Sequence, residues 1–152
     1  MDFNGKTVFI TGGSRGIGLA IVKKLASNGA NIIIAAKTTE PIPSLPGTIY
    51  TAAKEIEEIG GNCLPVACDI RFENQVDTAV KQGVKKFGGI DICINNASAV
   101  APLPTEATQM KRYDLMQEIN TRGTFLTTKI CLPYLKKSTH AHILLSLIHI
   151  WR

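Results

Sequence analysis

Residues 7–18 read Thr-Val-Phe-Ile-Thr-Gly-Gly-Ser-Arg-Gly-Ile-Gly, so a short apolar run leads directly into a cluster of glycines. The run is rich in β-branched and aromatic residues, which is typical of a buried strand. Beyond the glycines, apolar residues recur at helical spacing as far as Leu25, and Asn28 with Gly29 is a typical helix end. This stretch therefore predicts a strand, a tight glycine turn and a helix.

The rest of the chain repeats this alternation of strands and helices. Pro65 falls within the third apolar run, which favours a position at the edge of a sheet. Strands that alternate with helices predict right-handed βαβ units and a parallel sheet covered on both faces, here an α/β, Rossmann-type doubly wound sheet with strand order 3-2-1-4-5. Its ligand crevice is expected at the carboxyl ends of the first and fourth strands. The further predicted elements are strands at 31–36, 63–68, 90–94 and 141–151 and helices at 51–59, 73–87 and about 110–135.

The composition is that of one ordinary globular domain. The chain has 152 residues, of which 45% are hydrophobic and 19% charged, and this balance excludes a disordered tail. No run reaches the roughly 18 consecutive apolar residues of a membrane span. The N-terminus lacks the charged and apolar regions of a secretory signal. We therefore expect no membrane span and a cytoplasmic location, with the peroxisome or mitochondrion as alternatives for a eukaryotic full-length protein.

Charge and cysteine patterns argue against nucleic-acid and metal binding. The formal net charge is +5, but the lysines and arginines are dispersed, whereas a nucleic-acid surface needs them on one stripe. The three histidines flank or lie in the last predicted strand, so we expect no metal site. No C-x-x-C spacing occurs, and we expect buried free thiols at Cys63, Cys68, Cys93 and Cys131.

Gly12, Gly16 and Gly18 form a G-x-x-x-G-x-G pattern, a variant of the dinucleotide-binding fingerprint. Gly12 would allow the tight turn, Gly16 would let the backbone approach a diphosphate, and Gly18 would permit close packing of the helix on the strand. The helix that begins there presents unpaired N–H groups to an anion. The alternative is a structural turn without a ligand.

The choice between NAD and NADP is argued from charge. NAD sites usually carry an acidic residue about 20 positions after the glycines, but the second strand ends in Lys37 and no acid follows until Glu40. Arg15 lies at the N-terminal end of a helix, where the helix dipole disfavours a cation, so an anionic partner is expected. Arg15 and Lys37 together favour the 2′-phosphate of NADP over NAD. The alternative is two solvated surface cations.

Four segments at characteristic spacing give the chain a resemblance to a known family. They are residues 11–18, Cys68-Asp69-Ile70, Asn95-Asn96-Ala97-Ser98 and Ile119-Asn120. In this order they resemble the short-chain dehydrogenases/reductases, and the resemblance extends from residue 6 to about residue 144. It implies a Rossmann domain over 1–144 that binds a nicotinamide dinucleotide.

The resemblance implies a role for each matching residue. Asp69 would bond the adenine amino group, and the peptide of Ile70 would lie along the ring. Position 98 is usually glycine in this family, so Ser98 departs from the pattern. Asn95, Asn96 and Ala97 would hold the central strand end and border the ribose. The cofactor-binding residues predicted in the glycine turn are Gly12, Ser14, Arg15, Gly16, Ile17 and Gly18.

Asn120 matches the family's catalytic asparagine, whose backbone binds a water that relays protons to a lysine. An asparagine that interrupts a long helix at an i−4 bond is a plausible place for such a water. Without the resemblance, Asn120 would be interpreted as a buried polar residue that caps a kink.

The family transfers hydride between a nicotinamide and a small-molecule carbonyl or alcohol, using a serine and a Tyr-x-x-x-Lys pair. The pair belongs on a helix after the fifth strand, and the chain stops before that helix. Tyr50 and Lys54 have the right spacing but follow the second strand, on the adenosine side, so we reject them as catalytic. We expect a full-length enzyme that is a homo-oligomer and a fragment that is inactive as given. The alternative is a non-catalytic dinucleotide-binding or interaction module.

The last eight residues do not continue the resemblance. Residues 145–150 read Leu-Ser-Leu-Ile-His-Ile, which the codons CTG-TCT-CTT-ATA-CAC-ATC encode. That string resembles the transposon mosaic end used to prepare sequencing libraries. We therefore expect residues 145–152 to be a non-native tail, and we do not assign Ser146 as the family serine.

Overall fold

A single parallel sheet of five strands forms the centre of the molecule. The structure is a computed structural model that describes residues 2–41, 43 and 46–146. Its strand order is β3-β2-β1-β4-β5, and every neighbouring pair is parallel, so the predicted topology is confirmed. The strands are β1 (Thr7–Thr11), β2 (Asn31–Ala36), β3 (Asn62–Ala67), β4 (Ile92–Asn95) and β5 (His142–Leu145).

The helices follow the predicted order, with one difference. The predicted continuous helix over 110–135 is divided by a π-helical segment, Gln117–Gly123, which we call the π segment. The fifth strand ends at Leu145, before the predicted residue 151, and residues 147–152 of that prediction lie outside the described residues. The α-helices are α1 (Gly16–Ala26), α2 (Ile49–Glu58), α3 (Glu73–Phe87), α4 (Met110–Met116) and α5 (Thr124–Leu135), with a short 3₁₀ turn at Thr105–Ala107.

Both faces of the sheet are buried at β1, β2 and β4, as a doubly wound fold requires, whereas the residues of β5 are exposed. Alternate strand residues point to opposite faces, so Ile32 and Ile34 of β2 pack under α1 and α2, while Ile33 packs on the other side. On the first face these isoleucines meet Val22 of α1 and Ile56 of α2. The opposite face packs against α3 and α5 through Phe9, Ile33, Val76, Val80, Leu126 and Cys131.

Strand β3 forms one edge of the sheet, as Pro65 predicts. The amide of Cys68 donates to the carbonyl of Ala36, and backbone groups alternate sides along a strand, so position 65 faces away from β2. Lys86 Nζ also donates to the carbonyl oxygen of Cys63 at 2.8 Å on the same outer side. The edge therefore has fewer free groups than an ordinary strand edge.

The four cysteines are free and buried, as predicted. Burial raises the pKa of the Cys63 thiol to about 12 and that of Cys68 to about 11. Because the thiolate is the reactive form, neither thiol is activated as a nucleophile at neutral pH.

Within the described residues, no helix is both long and apolar enough to cross a membrane. The same residues contain no cluster of three or more histidine, cysteine, aspartate or glutamate side chains that could hold a metal ion.

Asp91 ties together the amino ends of three strands. Its carboxylate accepts from the amide of Thr7 at 2.8 Å and from the hydroxyl of Ser138 just before β5. Its own amide donates to Thr7, and its carbonyl accepts from the amide of His142. Asp91 therefore holds the starts of β1, β4 and β5 in register.

Replacing Asp91 with alanine is expected to lower the free energy of unfolding by about 2 kcal/mol, because the buried Thr7 amide would lose its acceptor. Urea denaturation measures the loss. Asp77→Ala, which removes a carboxylate paired with Lys81 on the same helix, is the control and should cost clearly less. Equal losses for the two variants would contradict this role of Asp91.

Candidate functional site

The glycine turn lies at the carboxyl end of β1 and leaves no room for side chains at two positions. A Cβ atom on Gly12, whose φ is +69°, would lie 2.9 Å from the Cα of Ala97. A Cβ atom on Gly18 would collide with the carbonyl oxygen of Gly12 and lie 2.5 Å from Asn96 Nδ2. The turn, the start of α1 and the end of β4 therefore approach one another more closely than any larger residue would allow.

Gly16 differs from these two glycines because its surroundings are open. Its φ is +54°, and a Cβ atom there would meet nothing within 4 Å. Gly16 begins the 11-residue helix α1, which has no acidic residue in its first turn, and the preceding Arg15 makes no side-chain cap bond. The first N–H groups of α1 therefore offer donors and a positive dipole end to an anion.

Thr11 and Asn96 fasten the turn to β4. Thr11 Oγ1 accepts from the amides of Asn96 and Ala97, both at 3.0 Å. Asn96 Nδ2 donates to the carbonyls of Thr11 and Gly12 at 3.1 and 2.9 Å. Asn96 and Ala97 were predicted as site residues from the sequence but Thr11 was not, although a threonine at a strand end beside a glycine turn is visible in the fingerprint.

Two adjoining pockets follow the carboxyl ends of the strands. The first lobe, about 360 Å³, lies over β1, β2 and β3, and the second lobe, about 490 Å³, lies over β4 and β5. Residues 96–99 and Arg15 line both lobes. The crevice is thus where the winding of the sheet reverses, as predicted.

The first lobe brings together most of the predicted cofactor-binding residues. Lys37 at the end of β2 is exposed and lines the lobe with Arg15, although the two are far apart in sequence. Ser14, which is buried, lines it as well. Asp69 and Ile70 reach it from the loop after β3.

The second lobe contains the remaining predicted residues except Gly16, which lines neither lobe. Ile17 and Gly18 line it from α1, and Asn120 lines it from the π segment. At its base Asn95 Nδ2 donates to Thr128 Oγ1 at 3.0 Å, while the buried Asn95 Oδ1 has no hydrogen-bond partner among the described residues. An unsatisfied buried acceptor at the base of a pocket suits a donor from a bound molecule or water.

Asn120 is exposed, so its interpretation as a buried residue that caps a kink is wrong. Its side chain instead makes two hydrogen bonds to the backbone of Ala99. Oδ1 accepts from the Ala99 amide at 2.9 Å, and Nδ2 donates to the Ala99 carbonyl at 2.8 Å. Asn120 lies in the middle of the π segment, where the wider turn interrupts the regular i−4 bonds, and such segments are frequent at functional sites.

Asp69 is held by a partner that the sequence analysis missed. Arg71 Nη2 donates to Oδ2 of Asp69 at 2.6 Å, and Arg71 Nε lies 3.0 Å from Oδ1. These hydrogen bonds hold the pKa of the Asp69 carboxyl below its usual range. The Asp69 amide in turn donates to Gln75 Oε1 at 2.8 Å. The carboxylate therefore stays ionised as an acceptor.

Tyr50 and Lys54 lie on α2 and line neither lobe, in agreement with their rejection as catalytic residues. Lys54 pairs with Glu58 on the same helix. Ser146, which was not assigned, does line the second lobe, and its amide donates to the carbonyl of Asn95 at 2.9 Å.

Comparisons with known proteins agree with this geometry. A family model described as short chain dehydrogenase matches residues 6–145. Hydroxysteroid dehydrogenase-like protein 2 from Xenopus laevis is 63% identical over 140 residues, which are 92% of this chain and 34% of that protein. The human protein of the same name is 61% identical over the same share. The chain therefore spans about a third of the length of these curated relatives.

Solved structures match the same architecture. A short chain dehydrogenase from Mycobacterium thermoresistibile is 52% identical with a TM-score of 0.94, covering 99% of this chain and 54% of the other. Carveol dehydrogenase from Mycobacterium avium, solved in complex with NAD, is 26% identical with a TM-score of 0.82, covering 93% of this chain and 54% of the other.

The variant Arg71→Gln is expected to raise the pKa of the Asp69 carboxyl toward its ordinary value, because the charged hydrogen-bond donor is lost. The pKa of Asp69 is lower in the folded than in the unfolded state. The pair therefore stabilises the fold above the unfolded-state pKa, and this contribution is lost as the pH falls through the folded-state pKa. NMR titration of the carboxyl carbon measures the shift.

Lys129→Gln, which breaks the exposed ion pair with Glu73, is the control and should leave the pKa of Asp69 unchanged. The free energies of unfolding of wild type and Arg71→Gln should also become equal at acidic pH. A difference in stability that persists at low pH would contradict the electrostatic origin.

Proposed function

The chain belongs to the short-chain dehydrogenase family, and from this premise we propose that the complete protein is an NADP-dependent oxidoreductase. It transfers hydride between the cofactor and a small-molecule carbonyl or alcohol. The observation that supports this most is the open glycine turn at the start of α1, which is shaped for a diphosphate and lies between the two lobes of the crevice. The nicotinamide supplies or accepts the hydride, and the protein binds and orients it.

NADP is proposed over NAD because of the charges around the first lobe. Arg15 and Lys37 both line the lobe, where a 2′-phosphate on the adenosine ribose would meet two cations. The carboxylate that lines the same lobe, Asp69, is bonded to Arg71. This arrangement lacks the acidic residue at the end of β2 that NAD sites use to bind the ribose hydroxyl.

We propose that Asn120 contributes to catalysis through its backbone. Both polar atoms of its side chain are already bonded to Ala99, so the side chain acts as a clamp. The π segment changes the pairing of nearby carbonyls, and a carbonyl released in this way can hold a water at the second lobe. Proton transfer itself needs a residue such as the family's tyrosine, which the 152 residues do not place after β5.

The 152-residue chain alone is therefore expected to show no turnover. A non-catalytic dinucleotide-binding module is the second candidate. The complete gene distinguishes the two functions: a Tyr-x-x-x-Lys on a helix after the fifth strand supports the enzyme. The complete product should then consume NADPH with a panel of aldehydes and ketones, whereas a module would not.

Two further proposals concern the cellular compartment of the protein and its last eight residues. Four buried free thiols suit a reducing compartment, which supports the cytoplasm. We also propose a non-native tail over 145–152, because residues 145–150 are what the mosaic-end codons encode. The nucleotide sequence tests the tail: codons unlike the mosaic end at these positions would contradict it.

We also propose that the complete protein is a homo-oligomer through the outer face of α4 and α5. The inner side of α5 packs on the sheet through Leu126 and Cys131, but Phe125 on the outer side is 70% exposed. Leu132 of α5 and Tyr113 of α4 are exposed as well. An apolar strip of this kind suits a second copy of the chain.

Charge reversal at Arg15 tests the cofactor proposal. In the complete gene product, Arg15→Glu should weaken NADPH binding by about 10- to 100-fold, because a charge-assisted hydrogen bond to the phosphate is replaced by repulsion. NADH binding should change much less, and fluorescence titration measures both affinities. Lys24→Glu, an equal charge reversal on α1 away from both lobes, is the control. Equal losses for NADPH and NADH would contradict the assignment of the 2′-phosphate.

Phe125→Asp tests the oligomer. A carboxylate on the outer face of α5 should disfavour burial against a second copy, so the complete product should shift to a smaller species in sedimentation or light scattering. Lys54→Asp, at an exposed ion-paired position of α2 on the opposite face of the sheet, serves as the control. If Phe125→Asp forms the same oligomer as wild type, the interface does not lie on this face of α5.

A further inference from the structure

The loop between β3 and α3 touches the π segment at three places, of which two are close contacts. Arg122 Nη1 donates to the backbone carbonyl of Arg71 at 2.6 Å. Next to this bond, Ile70 packs so closely on Gly123 that a Cβ atom at Gly123 would lie 2.7 Å from Ile70 Cδ1. The contact of Arg122 is a charge-assisted hydrogen bond, whereas the contact of Ile70 with Gly123 is apolar packing.

An ion pair lies beside these two contacts but adds little. Arg71 Nη1 is 3.5 Å from Glu118 Oε2, and the Glu118 side chain is about half exposed. Exposed pairs at this distance are screened by water and salt. The connection between loop and π segment therefore depends on Arg122 and on the Ile70–Gly123 contact.

Both ends of this connection belong to the crevice. On one side, Asp69 and Ile70 line the first lobe. On the other, the π segment carries Ile119, which itself lines the first lobe, and Asn120, which lines the second lobe and is bonded to Ala99 in the loop after β4. The bond from Arg122 to the Arg71 carbonyl thus joins the β3–α3 loop to the segment that carries Asn120.

We propose that Arg122 is a positioning residue that couples occupation of the first lobe to the placement of the π segment and of Asn120. This inference rests on the proposed function, because it takes an adenosine phosphate as the occupant of the first lobe. When that ligand restrains the β3–α3 loop, the bond from Arg122 to the Arg71 carbonyl carries the restraint to the π segment. Arg122 lines neither lobe, so it acts through Asn120 rather than on the ligand.

Hydrogen–deuterium exchange of the complete gene product tests the coupling with adenosine 2′,5′-bisphosphate as the probe. In wild type, the ligand should slow exchange in peptides that cover 69–72 and 117–123. In Arg122→Gln, peptides over 69–72 should still be protected. The ligand-induced protection over 117–123 should fall by about fivefold or more, the usual lower range for coupled sites.

Two further variants and one affinity measurement test whether the effect is specific to Arg122. Arg122→Lys should restore part of the protection, because a lysine still donates to the Arg71 carbonyl. Lys129→Gln, on the adjoining helix α5, should behave as wild type. The affinity for the bisphosphate, measured by calorimetry, should be the same in wild type and Arg122→Gln to within about threefold, since the side chain does not contact the lobe.

The outcomes separate the two proposals. Full protection over 117–123 in Arg122→Gln, with the probe bound, overturns the coupling and leaves the proposed function intact. A wild type that binds the probe without any protection over 117–123 also overturns the coupling. A wild type that binds neither the bisphosphate nor NADPH overturns the proposed function and the coupling with it.

Discussion

The close approach of α1 to the end of β1, which glycine at position 18 permits, determines the geometry of the whole crevice. The space that a side chain would fill is taken by the Gly12 carbonyl and by Asn96 Nδ2. Because Asn96 bonds two carbonyls of the turn, β4 is joined to the same point as β1 and α1. The N-terminal end of α1, the glycine turn and the loop after β4 therefore border the same part of the crevice, and one lobe lies on each side of it.

Much of the fold follows from sequence because each element carries its own signal. Apolar runs, helical spacing and glycine breaks predict the five strands and the order of helices, and neighbouring parallel strands end at the same edge. That last rule explains why Arg15 and Lys37, which are distant in sequence, could be predicted to lie together. It also explains why the crevice could be located before any contact was known.

The features that sequence reasoning missed are set by tertiary contacts. Residues 110–135 have ordinary helical spacing, so nothing local marks Gln117–Gly123 as a π segment. The wider turn is held from outside, by Ala99 on one side and by Ile70 on the other. Arg71 escaped notice for a related reason, because a pair two residues apart in a loop follows no helix or strand spacing.

The blocked edge at β3 has a consequence for how molecules of this protein can associate. Pro65 has no amide hydrogen to offer outward, and Lys86 occupies a neighbouring carbonyl. A sixth strand from another molecule would find an incomplete ladder on that side, so intermolecular sheet extension is disfavoured there. Copies of the protein are therefore not expected to associate through backbone hydrogen bonds at β3. A contact there would depend on side-chain packing, and each side chain at the contact could then contribute to its selectivity.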